Sequence, residues 1–288
     1  MTSRDRFELV LLGAIWGASF LFMRIAVPEL GAVVLIELRM VIAAVFLVAI
    51  LAWRGQLGAL RGRALSFTLL GIVNTALPFI LFAFATGKLT AGFAAVINAT
   101  VPLFGAVFAF ACLRERLAKA KVLGLLVGFA GVVVLVSGKL ELPDDRLAIG
   151  AGLAAALSYG IAAHSSKKAF GGVPPLVVSA GSLVAASVVT APFCVFTWPA
   201  EAPSLTSLGC ALALGVVCTG AAYLLYFRSI ARIGPMRAMT VTYLIPVFAI
   251  VWGGVFLGEG FTWPMGVGAC VILVGTTLVA RGGAAAKR

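Results

Sequence analysis

Residues 71–135 of this chain align without a gap on residues 215–279, at a constant offset of 144. The alignment sets Gly71 on Gly215, Thr75 on Thr219, Pro102 on Pro246, Phe104 on Phe248, Glu115 on Glu259, Gly124 on Gly268 and Gly131 on Gly275. At an offset of 143, Trp16-Gly17 falls on Tyr159-Gly160 and Arg24 on Lys167. A chain written twice is expected to fold as two similar units, here 1–140 and 141–288. If each unit crosses a bilayer an odd number of times, the second lies upside down relative to the first. The cleft between the two units is then the expected place for a site.

Composition puts those units in a membrane. The chain is 62% hydrophobic and only 11% charged, with a mean hydropathy of +1.14. Apolar runs of about 20 residues recur from end to end, each long enough to cross a bilayer. Hydrocarbon offers no partner for a backbone N–H, so such runs must be helices or a closed barrel. They lack period-two alternation, which leaves helices. The expected fold is an all-α membrane protein of ten transmembrane helices arranged as two inverted five-helix repeats. The spans fall at roughly 8–28, 31–53, 65–86, 91–112, 121–138, 147–167, 174–198, 205–229, 236–257 and 263–281. Turn and charge signals separate them, beginning with Pro28-Glu29.

A net charge of +12 raises the question of nucleic acid. The basic residues sit in short loops between apolar runs, so they orient helices and no nucleic-acid partner is expected. With the N-terminus inside, inner ends carry Arg4, Arg6, Arg54, Arg61, Arg63, Arg114, Arg116, Lys119, Lys121, Lys167, Lys168, Arg228, Arg232, Arg237, Arg281, Lys287 and Arg288, which is 17 of the 22 Lys and Arg. Outer ends carry Arg24, Lys88, Lys139 and Arg146. That bias predicts both termini on the cytoplasmic side of a bacterial inner membrane. The five cysteines have no metal or disulfide spacing, and no cofactor is expected.

With no loop long enough to hold a domain, function must lie within the bundle. Asn74 and Asn98 are amides in apolar helices, costly unless paired, so each should face inward as a ligand contact or a helix–helix bond. Their repeat partners are Cys218 and Thr242. Pro78, Pro102 and Pro246 interrupt their helices and are read as gating kinks or static packing kinks. Phe79 and Phe82 share a helix face and align with Tyr223 and Tyr226. With Trp16, Tyr159 and Tyr243 they suit an apolar site with hydroxyl handles for a small amphipathic molecule, though aromatics are common here, with 20 Phe. Glu37 and Arg39 stand two apart on one helix and face different ways. Arg39 is expected to hold backbone carbonyls or a helix end in a structural role, with a substrate carboxylate as the alternative. Glu37 is expected to snorkel outward or to serve in proton coupling. Glu115 and Glu259 are expected to bond locally at helix ends, and His164 to be structural or exposed.

Ala14-Ile15-Trp16-Gly17 with Phe20 and Arg24, then Arg39, and Val101-Pro102-Leu103-Phe104 followed by Glu115, Gly124 and Gly131, form a recognisable set. The second half repeats it as Ile245-Pro246-Val247-Phe248, Glu259, Gly268 and Gly275. The set resembles the EamA family of the drug/metabolite transporter superfamily, and within it the YddG-type exporters of aromatic and other amino acids. The resemblance implies a cavity lined by the first, third, fourth, sixth, eighth and ninth helices. It implies a secondary transporter that exports small amphipathic metabolites, amino acids foremost, by alternating access, with the lipid bilayer as its surroundings. Two departures weigh against a mirror-symmetric site: the second repeat has no equivalent of Arg39, and Ala222 stands where the first has Pro78. Export of other metabolites or drugs on the same fold is the alternative. A channel would show rings of charge or a filter motif. A membrane enzyme would need a nucleophile–base pair or metal cluster, and the single histidine gives it little to build with.

Overall fold

The computed structural model describes residues 2–112, 114, 119–136 and 143–285; Glu115 and the side chain of His164 lie outside the described residues. Among those residues every regular element is helical. We number the helices α1 (Ser3–Trp53), α2 (Ala64–Lys88), α3 (Ala91–Ala111), α4 (Lys119–Val136), α5 (Pro143–Ala169), α6 (Pro175–Thr197), α7 (Leu205–Ile233), α8 (Ile245–Leu257) and α9 (Trp263–Ala285). Seven described helical stretches are long and apolar enough to cross a bilayer, and Trp263–Val279 is a shorter apolar one.

Helix α1 has 51 residues. Straight, it would run about 77 Å, more than twice the ~30 Å hydrocarbon core. It bends instead at Gly31, whose φ of 69° and ψ of 162° only glycine adopts easily. The break therefore falls just after the expected Pro28-Glu29 turn, and Pro28 stays within the helix. The arm after the bend carries a fully buried stripe. Ile36, Met40, Ala43, Leu47 and Leu51 recur at helical spacing and are fully buried. That arm packs against α6 and the first turns of α7.

Glycines set the closest approaches. Helices α4 and α9 lie side by side, and their glycines bring the two backbones close. A Cβ on Gly124 would sit 2.7 Å from the carbonyl of Gly275, and one on Gly131 2.7 Å from the amide of Ile272. Farther in, Gly17 meets Phe248 and Ala249, while Gly160 meets Phe104 and Gly105. These two crossings occupy matched positions of the repeat, since 17 and 160 differ by 143, and 104 and 248 by 144. A third match is local. Helix α2 widens to a π turn at Ile72–Ala76, and α7 does so at Val216–Ala221.

The three helix-interior prolines each stand beside a local irregularity of the helix. Pro78, Pro102 and Pro246 each stand in the first turn of a new α segment. Pro78 follows the π turn, Pro102 follows a break at Ala99-Thr100, and Pro246 follows a 3-10 turn at Met239–Tyr243. A first-turn amide has no intrahelical acceptor, which suits Pro102 and Pro246, and beside Pro78 the π turn has already shifted the backbone ladder.

Polar ties close both ends of the first rod. At its start Thr2 and Asp5 form a capping box, and Asp5 pairs with Arg232 at 2.9 Å. Glu8 receives Arg4 at 3.1 Å, Arg232 at 3.2 Å, and also Arg228. Near its other end Arg24 donates to the carbonyls of Thr86 (3.0 Å) and Gly87 (2.8 Å) and pairs with Glu259 at 3.5 Å. Glu259 in turn accepts the Ala91 amide at 2.9 Å, and Glu29 accepts the Ser204 amide at 2.7 Å. The local bonding expected of Glu259 is thus a tie between sequence-distant elements.

Burial pushes the Glu259 carboxyl above its ordinary value, against the opposing pull of the Ala91 amide and Arg24. The folded chain therefore holds this proton more tightly than the unfolded chain. Its contribution to stability is greatest below the usual 4.5 and fades as pH rises through the raised value. Glu259→Gln keeps an acceptor for Ala91 without the charge and is expected to melt within a degree or two of the native chain. Glu259→Leu strands a buried donor and should cost about 1–3 kcal/mol. Thermal melts check both, and lowering the pH from about 7 toward 5 should raise the melting point of the native chain relative to the Gln variant.

Candidate functional site

Side chains from five helical rods converge in the middle of the bundle around Arg39. Helix α1 presents Trp16 and Phe20, four apart and so on one face. Its second arm presents Arg39. Helix α2 presents Phe79 and Phe82, α5 presents Tyr159, and α7 presents Thr219, Tyr223 and Tyr226 at helical spacing. Phe79, Phe82 and Phe20 are buried, while Trp16, Tyr159, Tyr223 and Tyr226 are half-buried.

The contacts form two connected walls. In one, the Arg39 guanidinium lies 3.8 Å from the centre of the Phe79 ring. Phe79 meets Tyr159 at 6.4 Å, Tyr159 stacks on Phe82 at 6.2 Å, and Phe82 meets Phe20 edge-on at 5.7 Å. In the other, Trp16 tilts against Tyr226 at 5.2 Å, and Phe227 links Tyr226 to Tyr223. Arg39 joins the walls by donating Nε to Thr219 Oγ1 at 2.9 Å. Tyr159, Cys218 and Tyr223 are its electrostatic neighbours.

The π turn in α7 shapes this contact. Thr219 donates its own hydroxyl proton to the Leu214 carbonyl five residues back, at 2.8 Å. With the proton committed there, a lone pair of the hydroxyl faces Arg39. The neighbouring Cys218 donates to the Ile15 carbonyl at 3.3 Å. A matching tie elsewhere runs from Ser158 to the Val73 carbonyl at 2.6 Å. Trp252 donates to the Ala14 carbonyl at 3.1 Å, fixing α8 against α1 beside Trp16.

Six of the aromatic and tyrosyl candidates are therefore brought together: Trp16, Phe79, Phe82, Tyr159, Tyr223 and Tyr226. Asn74 lies in the π turn of α2, Asn98 ends the first segment of α3, and Thr242 and Tyr243 lie in the 3-10 turn before α8. None of these four belongs to the chain of contacts above. Thr242 spends its hydroxyl on the Met239 carbonyl at 2.8 Å.

The two charged candidates part ways. Arg39 is 6% exposed and bonds a side-chain hydroxyl where backbone carbonyls or a helix end were expected. Its second arm turns it toward the aromatic walls and away from any helix end. Glu37 is buried too, so it does not snorkel. It faces α6 near Cys194, and its Oε2 has no partner among the described residues. Thr219 was missed as a site residue. The signal for it was present: Thr75 and Thr219 are a matched pair in the repeat, one residue past Asn74 and Cys218.

Two stretches, residues 7–137 and 146–281, each match the model of the EamA-like transporter family. An uncharacterized transporter of Archaeoglobus fulgidus is 24% identical over 275 residues, covering 95% of this chain and 97% of its own. The uncharacterized transporter YvbV of Bacillus subtilis is 25% identical over 288 residues, covering 96% and 92%. A protein named a probable terminal-alkyne amino-acid exporter, from Streptantibioticus cattleyicolor, is 25% identical over 264 residues, covering 89% and 86%. A solved crystal structure superposes with a TM-score of 0.69 over 97% of this chain and 98% of the other, at 21% identity, and so shares the fold.

Proposed function

Since the chain belongs to the EamA-like transporter family and is an integral membrane protein, we propose that it is a secondary transporter exporting small amphipathic metabolites, amino acids foremost, by alternating access. One observation carries this reading. The walls around Arg39 draw Trp16, Phe20, Phe79 and Phe82 from the first half of the chain and Tyr159, Thr219, Tyr223 and Tyr226 from the second. A site built across two halves changes access when the halves rock.

The finer architecture belongs to the same reading. The bend at Gly31 supports counting α1 as two spans and the bundle as ten. Matched π turns and matched glycine crossings support two inverted five-helix units, 1–140 and 141–288. The excess of Lys and Arg at one set of helix ends supports cytoplasmic termini in a bacterial inner membrane. The helix breaks ahead of Pro102 and Pro246, again at matched positions, are the bending points. The relative named as an amino-acid exporter favours amino acids, and the YddG-type resemblance favours aromatic ones.

Purified protein in liposomes tests this with labelled amino acids, with and without preloading and a pH gradient. Saturable uptake accelerated by preloading is expected, and Tyr159→Ala should slow it about tenfold or more by opening one wall. Flux that neither saturates nor responds to preloading would replace the carrier with a channel. A gradient that leaves uptake unchanged would remove Glu37 from any coupling role.

A further inference from the structure

We propose that Arg39 is the anion-recognition residue of the central site, and that the site selects substrates by their carboxylate and not by their amine. The inference rests on the transporter reading and deepens it. A guanidinium carries five N–H donors and is always charged. Arg39 is 94% buried by its 6% exposure, yet the structure gives it a single hydrogen bond, Nε to Thr219. Among the described residues the donors on Nη1 and Nη2 have no partner, and no carboxylate pairs with the group. The nearest carboxylate in sequence, Glu37, faces α6.

Neither Nη atom is among the fully buried polar atoms without a partner, so both keep contact with open space in which an anion can complete the charge. What surrounds it is arranged for a ligand. Phe79 covers one face of the guanidinium, and Thr219 fixes its rotation through Nε. The Nη pair is the edge that takes a carboxylate in two parallel hydrogen bonds. Tyr159 and Tyr223 stand within electrostatic range with their hydroxyls, and the Phe79, Phe82, Tyr159 wall offers an apolar surface beside them.

The same walls hold nothing built for an ammonium. No Asp or Glu belongs to the contact chain, so an amine meets only hydroxyls and ring faces. A single Arg also balances one negative charge and not two. The geometry therefore assigns hydrophobic monocarboxylates as the substrate class, with the amino group optional.

The test measures how unlabelled compounds compete with labelled phenylalanine for uptake into liposomes holding the full chain. It also measures direct binding of labelled 3-phenylpropanoate to the solubilised protein by equilibrium dialysis. 3-Phenylpropanoate is expected to compete about as well as phenylalanine. Phenethylamine and phenylalaninamide, which lack the carboxylate, should be weaker by about 100-fold. Phenyl phosphate should fall between them, and a phosphate that outcompetes the carboxylates would overturn the assigned class. Arg39→Gln should bind all four compounds alike, while Arg39→Lys should keep a reduced preference for the acid. If Arg39→Gln fails to purify as a monodisperse species, Thr219→Val serves: it frees Nε but keeps the charge. It should raise KM for carboxylates several-fold with kcat little changed.

Equal competition by acid, amine and amide while phenylalanine is still carried would sink this inference and leave the transporter reading standing. Absence of phenylalanine uptake together with Arg39-dependent binding of 3-phenylpropanoate would do the reverse. Absence of both would remove both.

Discussion

Gly275→Leu is expected to leave no folded protein to purify. Its hydrogen faces the backbone of Gly128 on the neighbouring helix, and the carbonyl of Gly124 lies 2.7 Å from where a Cβ would be built. Those atoms are main chain and have no rotamer to yield. Helices α4 and α9 would have to part along their shared face, losing the contacts of Gly124, Gly131 and Gly268 together. Helices in lipid have no hydrophobic drive toward one another, so close packing is what joins them. The cost should exceed roughly 5 kcal/mol, most of a typical domain's stability. Size-exclusion chromatography in detergent checks it: aggregated protein or none is expected. Gly209→Leu is the control, since a Cβ there meets nothing within 4 Å. A monodisperse Gly275→Leu peak melting near the native temperature would show that these helices need not touch.

Gly17→Leu is expected to insert and fold but to lose about 100-fold in transport rate. A Cβ on Gly17 would lie 2.7 Å from the Cβ of Phe248, 2.9 Å from the Ala249 amide and 3.0 Å from the Ile245 carbonyl. The obstruction pushes α1 away from α8 beside Trp16, which helps wall the site. Displacement of about 1 Å where geometry must be held commonly costs about 100-fold. Gly17→Ala meets the same backbone with less bulk and should fall between. The equivalent crossing, Gly160 against Gly105 and Phe104, should respond in the same way. Surface expression and uptake measured side by side decide the matter. Native rates in a well-expressed Gly17→Leu would mean that this crossing is remote from substrate movement.

Much of the ring cluster is legible in the sequence. The grouping of Trp16, Phe79, Phe82, Tyr159, Tyr223 and Tyr226 follows from helical spacing and from the repeat, because both are periodic properties of the chain. The position of the first bend was legible only approximately. Proline announces a turn, but here Pro28 fits within the helix and the flexible Gly31 takes the unusual φ. Asn98 stands out as an amide in an apolar helix, Thr242 as its partner in the repeat and Tyr243 as a ring with a hydroxyl. They lie at breaks in the helices, where freed backbone groups already occupy polar side chains such as Thr242.

The company of a charge was not legible at all. From sequence, Glu37 and Arg39 are two charges two residues apart in an apolar run. Their roles depend on which rods stand opposite, and for Arg39 that rod brings Thr219 from 180 residues away. Glu259 is similar, because its partners Ala91 and Arg24 lie far off in the chain. Read along the chain alone, the residues already say that it crosses a bilayer as helices, that it is written twice, and which faces carry rings and small residues. These are one-dimensional patterns, set by spacing and composition. Which faces meet follows only from how the helices pack. That packing turned Arg39 toward aromatic walls drawn from both halves and, among the described residues, bonded it through Nε alone, because contacts between distant segments arise only when helices pack.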